Sequence, residues 1–113
     1  MLDVKKHLRL AAEGGREEVA QLLIEHGADL NVAYQDGKTP LHLATEYSRK
    51  EVVKLFIESG ADPNVVDEEG RTPLHLLDAE EWDKNIAKLL IDGGADPKKR
   101  DNDGNTPRVC ANL

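Results

Sequence analysis

Thr39-Pro40-Leu41-His42 returns letter for letter as Thr72-Pro73-Leu74-His75, 33 residues on, and in a broken copy as Thr106-Pro107-Arg108-Val109 after a further 34. A second marker keeps the same step: Gly27-Ala28-Asp29, Gly60-Ala61-Asp62 and Gly94-Ala95-Asp96. Two unrelated markers with one period define an internal repeat. A step of 33 or 34 residues points to a quasi-linear stack of small units rather than one globular core.

Each unit reads as two short helices joined by a loop. Residues 1–12 suit a first helix, with Asp3 as N-cap and Val4, Leu8 and Ala11 or Ala12 on one side. By the repeat register, Lys6, His7 and Arg9 stand where Thr, Pro and His recur later, which suits a terminal layer that meets water. Gly14-Gly15 breaks this helix, and residues 16–26 form a second one with Val19, Leu22 and Leu23 toward the core. Asp36-Gly37 marks a tight turn in the extended segment that follows. Thr39 can cap the next helix, and Pro40 fits its first position, where an N–H would be unpaired anyway. Ser48-Arg49-Lys50-Glu51 reads as a capping box for a helix whose core residues are Val52, Leu55 and Phe56. In the third unit Thr72 to Leu76 keeps the pattern. Residues 77–83 then carry one inserted residue, and a helix resumes at Lys84 with Ile86, Leu89 and Leu90 inward.

The bulk composition limits what such a stack can do. Fifteen basic against 22 acidic residues give a net charge of −7, which disfavours the phosphate-neutralising face of a nucleic-acid binder. It suits a partner with a basic or mixed-charge surface. No run of about 18 apolar residues could span a bilayer, and the charged first 15 residues lack the apolar stretch of a secretory leader. Cys110 is the only cysteine, so no intrachain disulfide forms, and a cytoplasmic or nuclear location is expected.

The unit as a whole, Asp or Tyr, two residues, Gly, X, Thr-Pro-Leu-His-X-Ala, loop, Val/Leu/Leu helix, Gly-Ala-Asp-X-Asn, resembles the ankyrin repeat. The resemblance covers nearly the whole chain. It implies an all-α fold: an ankyrin-repeat solenoid of stacked helix-turn-helix units carrying β-turn hairpins, with the first helices lining a concave groove. The expected division is a capping repeat at 3–33, repeats at 34–66 and 67–100, and a partial capping repeat at 101–113. Departures from the pattern stand out. Tyr34 replaces the usual Asp, Ser48 and Glu81 replace an inter-helix Gly, and Leu77 replaces a small alanine, so the third layer is expected to be wider.

Residues that invite a chemical reading have simpler accounts. His42 and His75 lie on adjacent layers without a zinc-type ligand set. The resemblance implies that each imidazole bonds backbone between neighbouring turns, which also satisfies a buried polar group. Asp101-Asn102-Asp103-Gly104 lacks the spacing and terminal Glu of a calcium loop. Cys110 has no adjacent base and reads as a small buried thiol. Asn31 and Asn64 resemble asparaginyl-hydroxylation sites of ankyrin arrays, but a hairpin-bonding role is the simpler reading. No catalytic, cofactor-binding or metal-ligating residue is assigned, because no nucleophile–base pair or phosphate loop is visible. Trp82 has two readings: packing over the gap left by Leu77, or an exposed anchor of the kind enriched in binding hot spots. Tyr34, Tyr47 and Trp82 could then line one side of the groove.

The expected function is therefore a non-enzymatic protein–protein interaction module that presents a rigid concave groove. The alternative is an engineered or structural ankyrin scaffold without a natural partner. Gln35, Lys38, Glu46, Tyr47, Glu68, Arg71, Glu80 and Trp82 are the candidate contacts, because turn-tip and groove positions vary between repeats while framework positions do not. The partner is expected to be a protein, not a nucleic acid or a membrane, and the chain a monomer.

Overall fold

A computed structural model describes residues 3–77 and 84–108. Its regular elements are α1 (Val4–Gly14), α2 (Glu17–Glu25), α3 (Pro40–Glu46), α4 (Lys50–Glu58), a 3-10 helix at Pro73–Leu76 and α5 (Lys84–Asp92). No strand occurs among the described residues. Within layers, α1 packs on α2 and α3 on α4. Between layers, α1 meets α3 and α3 meets the 3-10 helix, while α2 meets α4 and α4 meets α5. First helices thus form one row and second helices another, and the molecule is elongated, 44 × 26 × 23 Å.

Local chemistry sets the helix ends. Asp3 accepts the Lys6 N–H at 3.0 Å, which satisfies one of the orphan donors at the start of α1. Thr39 does the same for α3 through the His42 N–H, with Pro40 at the first helical position. Gly15 closes α1 in the left-handed region, φ +67°. Ser48 occupies the equivalent position after α3 at φ +58°, and it is the only non-glycine there among the described residues. This corrects the expected capping box at 48–51. Ser48 forms the reversal between the helices, and the N-cap of α4 is Arg49, which makes no side-chain cap bond.

The core runs continuously along the stack. Leu8, Ala11 and Ala12 join Leu41 and Ala44, then Val52, Val53 and Phe56, then Leu74, Ile86, Ala87 and Leu90, all buried. The inward faces of the second helices differ from expectation. Leu23, Phe56 and Leu90 are buried as expected, together with Ala20, Val53 and Ala87. Leu55 and Leu89 are only partly covered. In the first layer, Val19 and Leu22 face solvent, 38% and 55% exposed. The cause is the stack itself. Val52 and Ile86, the register partners of Val19, are covered by the layer in front of them, whereas Val19 lies in the first layer described. Leu10 is 52% exposed for the same reason, against 3% for its equivalent Leu43. The terminal layer is therefore not the wholly polar cap that Lys6, His7 and Arg9 suggest.

The third layer is the irregular one. Leu77 holds the register position of Ala11 and Ala44, which have no exposed surface to spare. A leucine on a helix there would need room the layer lacks. The helix shortens to one 3-10 turn, and Leu77 takes an extended conformation, φ −62° and ψ +131°, while remaining buried. The inserted segment, with Glu80, Glu81 and Trp82, lies outside the described residues, as does Cys110.

Candidate functional site

Hairpin turns hold one edge of the stack. In the second turn, Asp67 Oδ1 accepts the N–H groups of Glu69 and Arg71, each at 2.9 Å. In the third, Asp101 Oδ1 accepts those of Asp103 and Asn105 at 3.0 and 2.9 Å. The first turn has Tyr34 instead, and Asp36 supplies a shorter-range substitute by accepting the Lys38 N–H at 3.1 Å. Tyr34 is itself buried, so it does not join Tyr47 in the groove wall as expected. Its hydroxyl donates to the Lys5 carbonyl at 2.9 Å, and its ring lies beneath Lys5 and Arg9 at 5.7 and 5.5 Å. Burial raises its pKa to about 12.

Consecutive turns are tied together. Glu68 N–H donates to the Asp36 carbonyl at 3.2 Å, and Asn102 N–H to the Glu69 carbonyl at 3.0 Å. His42 donates from Nε2 to the Arg71 carbonyl at 2.8 Å, and His75 likewise to the Asn105 carbonyl at 3.0 Å. The tautomer follows from the other ring nitrogen. Nδ1 of His42 accepts the Thr39 N–H at 3.1 Å, so the proton sits on Nε2. Burial disfavours the charged ring and lowers the His42 pKa, although the Arg71 carbonyl opposes the shift. Both histidines are thus struts between layers, as the resemblance implies. Asn31 and Asn64 act similarly on the other side of the stack: their Oδ1 atoms accept the Asp62 and Asp96 N–H groups, each at 2.9 Å.

On this frame the groove side chains converge in three hollows. The first is lined by Arg9, Glu13, Asp36, Lys38, Leu43, Glu46 and Tyr47. Lys38 Nζ bonds both Glu46 carboxylate oxygens at 3.1 Å and lies 4.0 Å from Asp36. Tyr47 is 47% exposed beside them. A second hollow joins Gln35 and Glu68 with Arg9 and Asp36. Arg71 lines a third, one layer on, with His75, Asn105 and Arg108. Its guanidinium pairs with Asp67 at 3.3 Å and Glu69 at 3.4 Å. The candidate contacts Lys38, Glu46 and Tyr47 thus meet in one place, Gln35 and Glu68 lie beside them, and Arg71 stands apart. Glu80 and Trp82 are outside the described residues. Sequence reading missed Arg9 and Glu13 as groove residues. The signal was present, since Arg9 shares its register with His42 and His75, but the terminal position made it look like part of a solvated cap.

Chemically, the hollows offer charged and aromatic contacts on a preformed frame. Among the described residues, no group of three or more His, Cys, Asp or Glu side chains is placed to hold a metal ion. No helix among them is long and apolar enough to cross a membrane.

A stack of helix pairs with hairpin turns bonded edge to edge defines a helical-repeat solenoid. A family model described as ankyrin repeats (3 copies) matches residues 3–67 and 51–112. The chain belongs to the ankyrin-repeat family. Ankyrin repeats are generally protein–protein interaction modules, and the family is generally non-enzymatic. No curated protein matches the chain significantly.

Proposed function

We propose that the chain is a non-enzymatic binding module whose groove receives a protein segment of basic or mixed charge. The observation that carries this reading is the hollow where exposed Tyr47 stands among Glu13, Asp36 and Glu46, with Glu68 next to it. An aromatic ring framed by carboxylates suits an Arg- or Lys-bearing segment, which could stack on the ring and pair with the acids. Lys38 holds Glu46 in the free protein, so an incoming cation would compete for that carboxylate and release the Lys38 head group. The turn-to-turn bonds keep the surface preformed and limit the entropy lost on binding. The single cysteine supports a cytoplasmic or nuclear setting for such an encounter.

The test is selection from a displayed random-peptide library, followed by titration calorimetry. Enrichment of Arg- and Lys-containing sequences, with affinity lost on Tyr47→Ala and on Glu68→Lys, supports the reading. Selected peptides without basic residues, or affinities unmoved by both substitutions, would overturn it.

A further inference from the structure

The hollow beside Tyr47 already holds a cation, and the cation is the chain's own. Lys38 Nζ stands at 3.1 Å from both Glu46 carboxylate oxygens, with Asp36 at 4.0 Å. The Lys38 side chain is 15% exposed, against 37% for Glu46, so this lysine is drawn into the hollow rather than extended into water. Glu13, on the same hollow, pairs with Arg9 at 3.4 Å. The aromatic ring is treated differently. Among the described residues, Lys5 and Arg9 lie over the Tyr34 ring and no cation lies over that of Tyr47. The free protein thus has a filled carboxylate next to a vacant ring face.

An ammonium and a guanidinium differ in what they can do there. Nζ is equidistant from the two Glu46 oxygens, which is the approach a guanidinium fork takes to bond both with parallel N–H groups. The flat guanidinium also stacks on an aromatic face, so it uses the ring that Lys38 leaves vacant. A partner lysine would only exchange one ammonium for another, against an occupant tethered within the same chain and therefore always at hand. Displacement does not strand Lys38, because Asp36 remains beside it.

We infer that the groove selects an arginine-bearing segment over a lysine-bearing one, and that Lys38 is a tethered competitor that holds Glu46 until a guanidinium displaces it. This rests on the groove reading and narrows it to one side chain. The probes are short alanine–glycine peptides carrying three arginines or, at the same places, three lysines. Each is titrated into isotope-labelled protein while the Tyr47 amide resonance is followed by NMR. The arginine peptide should bind about 2–5-fold more tightly, the usual contribution of a cation over a ring at an exposed site. Tyr47→Ala should bring it down to the level of the lysine peptide. Lys38→Met should raise both affinities by about 2–5-fold, the usual contribution of an exposed ion pair, and leave their ratio unchanged. Lys54→Met makes the same change of charge at an exposed position on α4, outside the hollow, and should give a smaller rise. Circular dichroism checks that the variants stay folded. Equal affinities for the two peptides, a preference that survives Tyr47→Ala, or a Lys38→Met gain no larger than that of Lys54→Met each overturn the inference and leave the groove reading standing. Titrations in which neither peptide moves the Tyr47 resonance overturn both.

Discussion

Ser48→Gly is the sharpest test of how the layers are joined. Ser48 sits at φ +58° in the reversal between α3 and α4, where Gly15 sits at φ +67° in the layer before. A side-chain-bearing L-residue in this region costs about 1–2 kcal/mol through the clash of Cβ with the carbonyl that follows. Glycine removes that clash but gains about 0.5–1 kcal/mol of extra freedom in the unfolded chain. The net expectation is a gain of about 0.5–1 kcal/mol, or roughly 2–6 °C in Tm for a domain of this size. The reciprocal change, Gly15→Ser, should act in the opposite direction and more strongly. Its Cβ would lie 2.9 Å from Arg49 Cδ. Arg49 cannot simply swing away, because its Nε donates to the Glu13 carbonyl at 2.8 Å and helps fasten the second layer to the first. The strain and the lost bond together predict a loss of about 2–3 kcal/mol. Urea unfolding followed by circular dichroism measures both, with an unchanged slope as the condition for comparing midpoints. If Ser48→Gly were neutral or destabilising while the slope held, strain at the reversal would be the wrong account of why family members favour glycine there.

Two further predictions concern buried polar groups in α3. Thr45 Oγ1 is buried without a hydrogen-bond partner among the described residues, so Thr45→Val, equal in shape, should stabilise the fold by about 1 kcal/mol; a lower urea midpoint would mean that the hydroxyl is satisfied. His42 has a pKa below the ordinary histidine value because burial favours the neutral ring. Its contribution is therefore complete above about pH 6.5 and is lost as the pH falls from there through the folded-state value, since the unfolded chain takes up the proton first. The gap in urea midpoint between wild type and His42→Asn should narrow between about pH 7.5 and about pH 5, and a gap that stays constant would rule this out.

The repeat made the layer order, the helix caps at Asp3 and Thr39 and the histidine struts legible, because each depends on near neighbours or on a motif that recurs. What stayed hidden depends on which layer adjoins which. Val19 and Leu22 carry the same periodic pattern as Val52 and Leu55, and no property of α2 itself distinguishes them. Only the packing of α2 against α4 does. Ser48 was misread for a related reason. Ser-X-X-Glu is a sound local signal for a helix start, but the reversal one residue earlier needed a left-handed backbone and took the serine first. At the groove, turn-tip positions could be named from their variability. That Arg9 of the terminal layer shares the same hollow required three-dimensional register.

The same geometry explains how framework and surface stay separate. At positions 71 and 105 the backbone carries the bonds between layers, while the Arg71 guanidinium also pairs with the buried Asp67 carboxylate. The Arg71 carbonyl takes the His42 proton, and the Asn105 carbonyl takes that of His75. Those two residues also donate their N–H groups to Asp67 and Asp101. Backbone groups are the same whatever residue is present, so the Asn105 side chain can change without loosening these bonds, whereas a replacement for Arg71 must still meet the buried Asp67 carboxylate. Lys38, in the first turn, accepts the Tyr34 N–H with its carbonyl just as Arg71 accepts that of Asp67 and Asn105 that of Asp101; the difference is that the register partner of the histidines in the layer before it is Arg9. Arg9 places its guanidinium over the Tyr34 ring rather than onto the turn. The first junction thus uses the Tyr34 hydroxyl and ring where the later ones use a histidine ring on a turn carbonyl. Substitutions at Arg9 and Tyr34 would therefore alter the groove floor directly, whereas substitutions at Arg71 would change the charge the groove displays and also remove the partner of the Asp67 carboxylate.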